Sequence, residues 1–326
     1  MSTSLITVFG GTGFLGRHAV RALAKAGHRI RVAVRYPNEG FFLPPMGTVG
    51  QIVLVRCNVR EADEVAAAVA GADAVVNLTG ILQQSGEQTF EAVHVEAAET
   101  IAKAAKAAGA RMLVHVSAIG ADKDAASSYA SSKGEGEAQV RAAFPEAAIV
   151  RPSLVFGPED TFFNRFAALA RVPPALPLIG GGHTKFQPVF VGDVAAVIAR
   201  LAEEPALGGK IYELGGPTVY SFKELMQIIL RETGRQRLLV PVPFALVTLK
   251  AMFLQFLPIS ILVLTPDQVT LLKSDNIVTG ENGLAALGIA PASVEAEVPA
   301  YLWRFRPKGQ YEDFVRDRVS AAPAPR

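Results

Sequence analysis

The chain of 326 residues contains a single cysteine, Cys57. One thiol excludes an internal disulfide and a thiolate metal cluster, and it fits a reducing compartment. Cys57 itself reads as a small buried apolar residue at a strand end. Excess charge of one sign is equally scarce. Thirty-two basic side chains against thirty acidic ones leave +2 at pH 7, with no lysine or arginine run able to track a nucleic-acid backbone. The histidines His18, His28, His94, His115 and His183 are scattered, with no pair at metal-ligand spacing beside a carboxylate, so no metal is expected. His94 on a helix and His115 in a strand read as structural. The start, Met-Ser-Thr-Ser, lacks the basic region of a secretion signal. No stretch of about 20 residues is both uncharged and free of proline, so a spanning helix is not expected.

What is present is the material of a packed core, since half of the residues are hydrophobic. SLITVFG, RIRVAVR, QIVLVRC, ADAVVNLTG and ARMLVHVSA read as five buried strands, and AAIVRPSLVFG as a sixth. Helical stretches closed by glycine separate most of them: FLGRHAVRALAKAG, EADEVAAAVAG and FEAVHVEAAETIAKAAKAAG. Strand and helix alternating in units of about thirty residues imply an α/β fold, a Rossmann-type doubly wound parallel sheet. The pattern changes after Gly157, where proline-rich loops begin. FQPVFVGDVAAVIARLAEE then looks like a strand and helix returning to the sheet, and GGKIYELGGP like one more strand. The expected organisation is a dinucleotide-binding domain from 1–157 and 186–216. A smaller mixed domain is expected from 158–185 and 217–326.

Between the first strand and the first helix stand Gly10, Gly13 and Gly16. In that context Gly10 would permit a tight turn, Gly13 a close approach of backbone to a pyrophosphate, and Gly16 the packing of helix on strand. The helix N-terminus would offer N–H groups and a partial positive charge to the phosphates. An NAD site usually ends its second strand with an acid that takes the ribose hydroxyls; here Arg35 stands in that place. A guanidinium suits a 2′-phosphate, and Arg17 could add a second positive contact, which points to NADP(H). Asn58 could reach the adenine with its amide and Val59 pack on it, while Thr79 and Gly80 end the fourth strand at the same sheet edge.

GGTGFLG, NLTG, HVSAIGA, YASSK and RPSLVFGPED fall in an order and spacing that resembles the short-chain dehydrogenase/reductase superfamily, in its extended and atypical branch. RYP…LPPMGTVGQ, SKGEGEAQVRAAFPEAAIVRPSLVFGPEDTFFNRFA, QPVFVGDVA and LGIAPASVEAEVPAYLWRFR carry a closer resemblance. They are similar to the nucleotide-binding accessory subunit of respiratory complex I and its bacterial relatives. The resemblance runs nearly end to end. It implies an NADPH held at Gly10, Thr12, Gly13, Phe14, Leu15, Gly16, Arg17, Arg35, Asn58, Val59, Leu78, Thr79, Gly80, Val116, Ser117, Tyr129, Lys133, Pro152 and Leu154. It further implies a peripheral place on the cytoplasmic side of the inner membrane, docked on other complex I subunits, with no substrate turned over.

Tyr129 and Lys133, four apart, share a helix face. In the superfamily this pair transfers the proton: the ammonium stabilises the phenolate of a group whose ordinary pKa is about 10. The third member, a Ser or Thr at the end of the fifth strand, is open at this point. If the place is Ser117 a triad exists; if it is Ala118 nothing there can polarise a carbonyl, and adjacent strand residues face opposite ways. The interval from Ser117 to Tyr129 is also short for a substrate pocket. An active NADP-dependent reductase or epimerase on a sugar nucleotide or small carbonyl compound is therefore the alternative reading.

Leu238 to Thr265 is the most apolar part of the chain, with Lys250 its only charge and Pro241, Pro243 and Pro258 interrupting it. The longest helix it permits, FALVTLKAMFLQFL, spans roughly 21 Å against a hydrocarbon core of about 30 Å. Two readings stand: a buried helix of the second domain, or a surface element at a bilayer or membrane partner, with Phe244, Phe253 and Phe256 compatible with both. YLWRFRPKGQYEDF near the C-terminus, with Trp303, Arg304, Arg306 and Lys308, suits docking to a partner or acidic headgroups, or simply a solvated basic surface.

Overall fold

The computed structural model describes residues 3–246 and 265–309. Most of the apolar stretch (247–264, with Phe253 and Phe256) and the end of the C-terminal aromatic stretch (310–314) lie outside the described residues. In chain order the first elements are β1 (Leu5–Phe9), α1 (Phe14–Lys25), β2 (Arg29–Val34), β3 (Ile52–Arg56), α2 (Ala62–Val69) and β4 (Ala74–Asn77). A π-helical segment (Glu91–Glu96) leads into α3 (Ala97–Ala107), followed by β5 (Met112–Val116), α4 (Ser128–Ala143) and β6 (Ala148–Pro152). Then come β7 (Val155–Phe156), α5 (Phe163–Leu169), β8 (Ala175–Ile179), β9 (Lys185–Phe186), β10 (Val189–Phe190) and α6 (Val191–Glu203). β11 (Ile211–Leu214), β12 (Tyr220–Ser221), α7 (Phe222–Glu232) and β13 (Leu238–Val242) follow.

The described residues divide into two compact units. The first comprises Met1–Leu154, Val191–Gly215 and Asn276–Pro291. Its centre is a seven-stranded parallel sheet in the order β11-β6-β5-β4-β1-β2-β3. The order reverses between β1 and β4, the topological switch at which open α/β sheets form their ligand crevice. α6 packs with α1, while α2, α3 and α4 pack in sequence against the other sheet face. That second face has a core of Phe9, Cys57, Val65, Val75, Ile101, Leu113, Val140, Phe144 and Ile149. α3 turns Ala97, Ala98, Ala102 and Ala105 inward beside Ile101, so its axis can lie close to its neighbours. The segment 276–291 ties itself to the end of β11: Asn282 Nδ2 donates to the Gly215 carbonyl (2.7 Å) and Thr279 N–H to Glu213 (2.9 Å).

The sixth strand expected over 147–157 is instead two. β6 stays in the sheet beside β5 and β11, and the chain turns at Ser153–Leu154. Pro152 has no N–H to extend the ladder, and Ser153 Oγ is taken up by the carbonyl and side chain of Asn276 (2.8 and 2.7 Å). β7 pairs with β10, so the strand expected ahead of α6 does not join the central sheet. β11 does.

The second unit comprises Val155–Phe190, Gly216–Asp275 and Ala292–Arg326. It is built from three two-stranded pairs, β7/β10, β8/β13 and β9/β12. Its core is a phenylalanine cluster: Phe156, Phe162, Phe163, Phe166, Phe186, Phe190 and Phe222. Neighbouring rings meet tilted or edge to face, the geometry that aromatic quadrupoles favour. Buried Asp160 accepts from Tyr301 Oη (2.8 Å), Gly157 N (3.2 Å) and Asn164 N (3.1 Å). α7 opens with a capping box between Ser221 and Glu224. The first residues of the apolar stretch, ahead of Phe244, form β13 beside β8.

α1 approaches the backbone of its own turn closely. A Cβ placed on Gly16 would lie 2.1 Å from the Gly10 carbonyl oxygen and 2.7 Å from Gly11 backbone, which cannot yield. A Cβ on Gly13, where φ is −69°, would meet only the Gly10 oxygen at 3.3 Å. Gly16→Ala is therefore expected to lower the unfolding free energy by about 2–3 kcal/mol, and Gly13→Ala by well under half of that. Denaturant titrations of the two variants measure the difference; equal losses would contradict the packing argument.

Candidate functional site

The turn Gly10–Gly13 closes with Gly13 N–H donating to the Gly10 carbonyl (3.1 Å). Gly10 has φ +75°, and a side chain there would come within 2.8 Å of the Leu78 carbonyl. A β-carbon on Gly11 would strike Val32 at 2.4 Å. The turn thus lies flat against the end of β4, and α1 begins at Gly13 with no side-chain cap. Gly13 is exposed, and a helix start with no side-chain cap suits an anionic group. Thr12 is half-buried, and Phe14 and Leu15 form the first positions of the helix. Arg17 folds back, its guanidinium bonded to the Thr12 and Gly13 carbonyls (both 3.4 Å) and 4.8 Å from the centre of the Phe42 ring. Arg35, directly after β2, is exposed beside Tyr36.

The Asn58 oxygen accepts from Arg60 N–H (3.3 Å), making a local turn, and Val59 packs on the α2 side of the core. Short polar side chains favour such bonds to their own backbone, which spacing alone does not reveal. Pro152 is buried at the end of β6, and Leu154 is half-buried two residues on.

A second cluster forms around Lys133. Its ammonium donates to the Val116 carbonyl (3.2 Å), and a β-carbon on Gly80 would stand 3.3 Å from it. The side chain is buried, which lowers the amine to about 8, while Glu137 pulls the other way. Glu137 is itself gripped by Arg151 through two bonds (2.8 and 2.6 Å), with Glu213 at 3.9 Å from the same guanidinium. Tyr129 lies one turn before Lys133, its ring edge-on to Phe90 and His94. Burial pushes its phenol up to about 12.

Alternation along β5 sets which way Ser117 and Ala118 face. Ser117 N–H still bonds Val150 O (2.7 Å), and Ile119 N–H bonds Pro152 O (3.1 Å), so the extended ladder continues past Val116. Ser117 therefore shares a face with Leu113 and His115, the face covered by α3 and α4, and Ala118 turns away. Ser117 is 4 % exposed, and its Oγ has no hydrogen-bond partner among the described residues. An orphaned buried hydroxyl at this edge is compatible with a ligand that completes it.

Asn77, His94, His115 and Ser132 complete the cluster, and the sequence reading left them as ordinary structure. Asn77 Oδ1 accepts from Thr79 N–H (3.0 Å) and Thr79 Oγ1 (2.6 Å), which turns its amide nitrogen to His115 Nδ1 (3.1 Å). His115 is thereby the Nε2–H tautomer. Ile81 N–H donates to His94 Nε2 (3.0 Å), so His94 carries its proton on Nδ1 and donates to Ser132 Oγ (2.9 Å), which donates on to the Tyr129 carbonyl (2.9 Å). His94 lies in the π-helical segment, whose wider turn re-aims it, and Gly136 lets α4 touch that segment. Asn77 ending a strand two residues before Thr79 was the one available signal. Among the described residues no three His, Cys, Asp or Glu side chains could hold a metal ion, and no helix is long and apolar enough to cross a membrane.

Burial and the Lys133 charge lower both His94 and His115 to about 3. Between that value and 6.5 the unfolded chain binds protons that the folded chain does not, so stability rises with pH there and is lost on acidification. Unfolding free energies measured from pH 6.5 down to 5 should fall, with a slope reduced by up to about one proton in His94→Asn or His115→Asn. An unaltered slope in both variants would contradict the assignment.

Residues 6–215 match the family model described as the NAD dependent epimerase/dehydratase family, and the chain belongs to that family. Over 321 residues it is 35% identical to the NADH dehydrogenase [ubiquinone] 1 alpha subcomplex subunit 9, mitochondrial, of Arabidopsis thaliana, covering 95% of this chain and 80% of that protein. It is 34% identical over 244 residues to the ceramide reductase of Caulobacter vibrioides, covering 73% of this chain and 74% of the reductase. In fold it resembles an NADPH-dependent quinone oxidoreductase from Escherichia coli solved with NADPH, with a TM-score of 0.72, 20% identity, and 91% and 99% of the two chains covered.

Proposed function

We propose that the chain is an NADP(H)-binding accessory subunit of a respiratory NADH:quinone oxidoreductase, complex I, in which the dinucleotide is a structural ligand. The observation that carries this is the contrast between the two halves of the site. The glycine turn, the uncapped α1 and the exposed Arg35 suit a phosphorylated adenosine and its pyrophosphate. At the other end burial pushes the Tyr129 phenol up to about 12. A phenol in that range keeps its proton at neutral pH and is a poor partner for proton exchange. The relatives named as complex I subunits align over nearly the whole chain, which supports the partner. With such a partner the chain sits at the membrane periphery, on the cytoplasmic side in a bacterial cell.

Gly10, Thr12, Gly13, Phe14, Leu15 and Gly16 would hold the pyrophosphate, and Arg17 and Arg35 the 2′-phosphate. Leu78, Thr79, Gly80, Val116, Ser117, Tyr129, Lys133, Pro152 and Leu154 would line the nicotinamide half, with Asn58 and Val59 beside the adenine. The nicotinamide, when bound, supplies a hydride carrier. Among the described residues Lys133 has the Val116 carbonyl as its one hydrogen-bond acceptor, which leaves two N–H donors for ribose hydroxyls. A ligand that binds only the folded chain adds RT ln(1 + [L]/Kd), about 4.1 kcal/mol at a thousandfold excess over Kd.

A second reading, an NADP-dependent reductase of a lipid or small carbonyl compound, is favoured by the presence of Tyr129 and Lys133 and by the likeness to a ceramide reductase. Purified chain separates the two. Bound NADPH that survives quinones, aldehydes and a 3-keto sphingolipid supports the structural role, and its consumption, abolished by Tyr129→Phe, supports the reductase. Arg35→Asp is expected to weaken NADPH binding at least tenfold, as one lost charge-assisted contact implies, and to spare NADH. Equal losses for the two coenzymes in calorimetry would contradict the 2′-phosphate assignment.

A further inference from the structure

Charge is unevenly distributed along the chain. The first 56 residues carry Arg17, Arg21, Lys25, Arg29, Arg31, Arg35 and Arg56 against a single acid, Glu39, while the remainder is net acidic. α1 concentrates part of this charge. It buries Gly16, Ala19, Val20, Leu23 and Ala24, and the helical repeat sets Arg17, Arg21 and Lys25 along the opposite side, with no acidic residue in the helix. Arg21 and Lys25 are exposed.

The loop between β2 and β3 runs alongside this stripe. Arg17 over Phe42 anchors one end, and Gln51 Nε2 donating to the Ala24 carbonyl (2.7 Å) anchors the other. The loop turns its apolar side chains outward: Phe41 is 68% exposed, Phe42 38%, and Val49, set between Gly47 and Gly50, is fully exposed at 106%. The acids near Lys25 are already engaged, Glu203 by His28 (2.8 Å) and Glu204 by Arg200 (3.2 Å).

We propose that the exposed Arg21 and Lys25, with Phe41, Phe42 and Val49, dock on an anionic phospholipid bilayer. The cations meet headgroup phosphates, and the two rings and the valine enter the interfacial zone. Phosphates of a dinucleotide do not account for the whole surface, because Lys25 and Val49 lie at the far end of α1, roughly 18 Å from the glycine turn. A second copy of the chain would bring like charges together. The inference rests on this surface alone and stands whether or not the dinucleotide is held.

Flotation of the full chain with vesicles tests it, comparing phosphatidylcholine alone with phosphatidylcholine containing phosphatidylglycerol. Binding should be about tenfold or more tighter to the anionic vesicles and should weaken as salt is raised. Arg21→Gln with Lys25→Gln should remove most of that preference, and Phe41→Ser with Val49→Ser should weaken capture by the anionic vesicles, both with NADPH affinity unchanged. The apolar stretch 238–265 is common to all variants, so its own contribution cancels. Equal binding to both vesicle types, a preference unchanged in the charge variant, or retention on polyglutamate without vesicle binding would overturn the proposal, the last in favour of an acidic protein partner.

Discussion

The first unit depends on the contact between the start of α1 and the turn that precedes it. Gly16 packs so close to the Gly10 carbonyl that no side chain could stand there, and Gly10 in turn lies against the backbone at the end of β4. Three backbone segments are thus in direct contact at the switch point of the sheet. The unpaired N–H groups of the helix start, the outer strand end at Arg35 and the loop after β4 all take their places from that contact.

The polar cluster behind it is held by chained hydrogen bonds rather than by exposed ion pairs. Asn77 orders Thr79 and His115; His94 ties the Ile81 loop to Ser132 on α4; Arg151 and Glu137 brace the helix turn that carries Lys133. Buried groups in such a chain are forced into neutral forms or strict pairing, because an isolated charge there would cost several kcal/mol. That is why the two histidines resist protonation and why the lysine amine is easier to deprotonate than in water. The same dryness raises the Tyr129 phenol, so the surroundings that would steady a ribose work against proton release from the phenol.

Much of the architecture was legible beforehand, and for definite reasons. The parallel strands are buried on both faces and so read as apolar runs, and glycines close the helices between them. Val155–Phe156 was misread because a short apolar strand looks alike in any sheet, and only the turn at Ser153–Leu154, fixed by a bond to Asn276 far along the chain, diverts it. The return of 276–291 to the first unit left no local trace for the same reason: its bonds to Gly215 and Glu213 are long-range. In the site, the glycine spacing and the Tyr129–Lys133 pair were visible because backbone conformation and helix periodicity are local properties. At Asn58 the oxygen is taken up by the residue's own turn, a detail that spacing does not carry.

By itself the sequence determined which residues had to be glycine at the turn, which end of β2 would carry a cation instead of an acid, and that one helix face would present Tyr129 with Lys133. These follow from sterics, charge and a repeat of 3.6 residues, none of which needs a distant neighbour. Tertiary structure alone decided that Ser117 and not Ala118 faces α4, that His94 and His115 flank the lysine, and that Glu137 is held by Arg151. Those outcomes depend on how far a strand ladder continues and on which elements pack across it, and both are set by contacts between residues tens of positions apart.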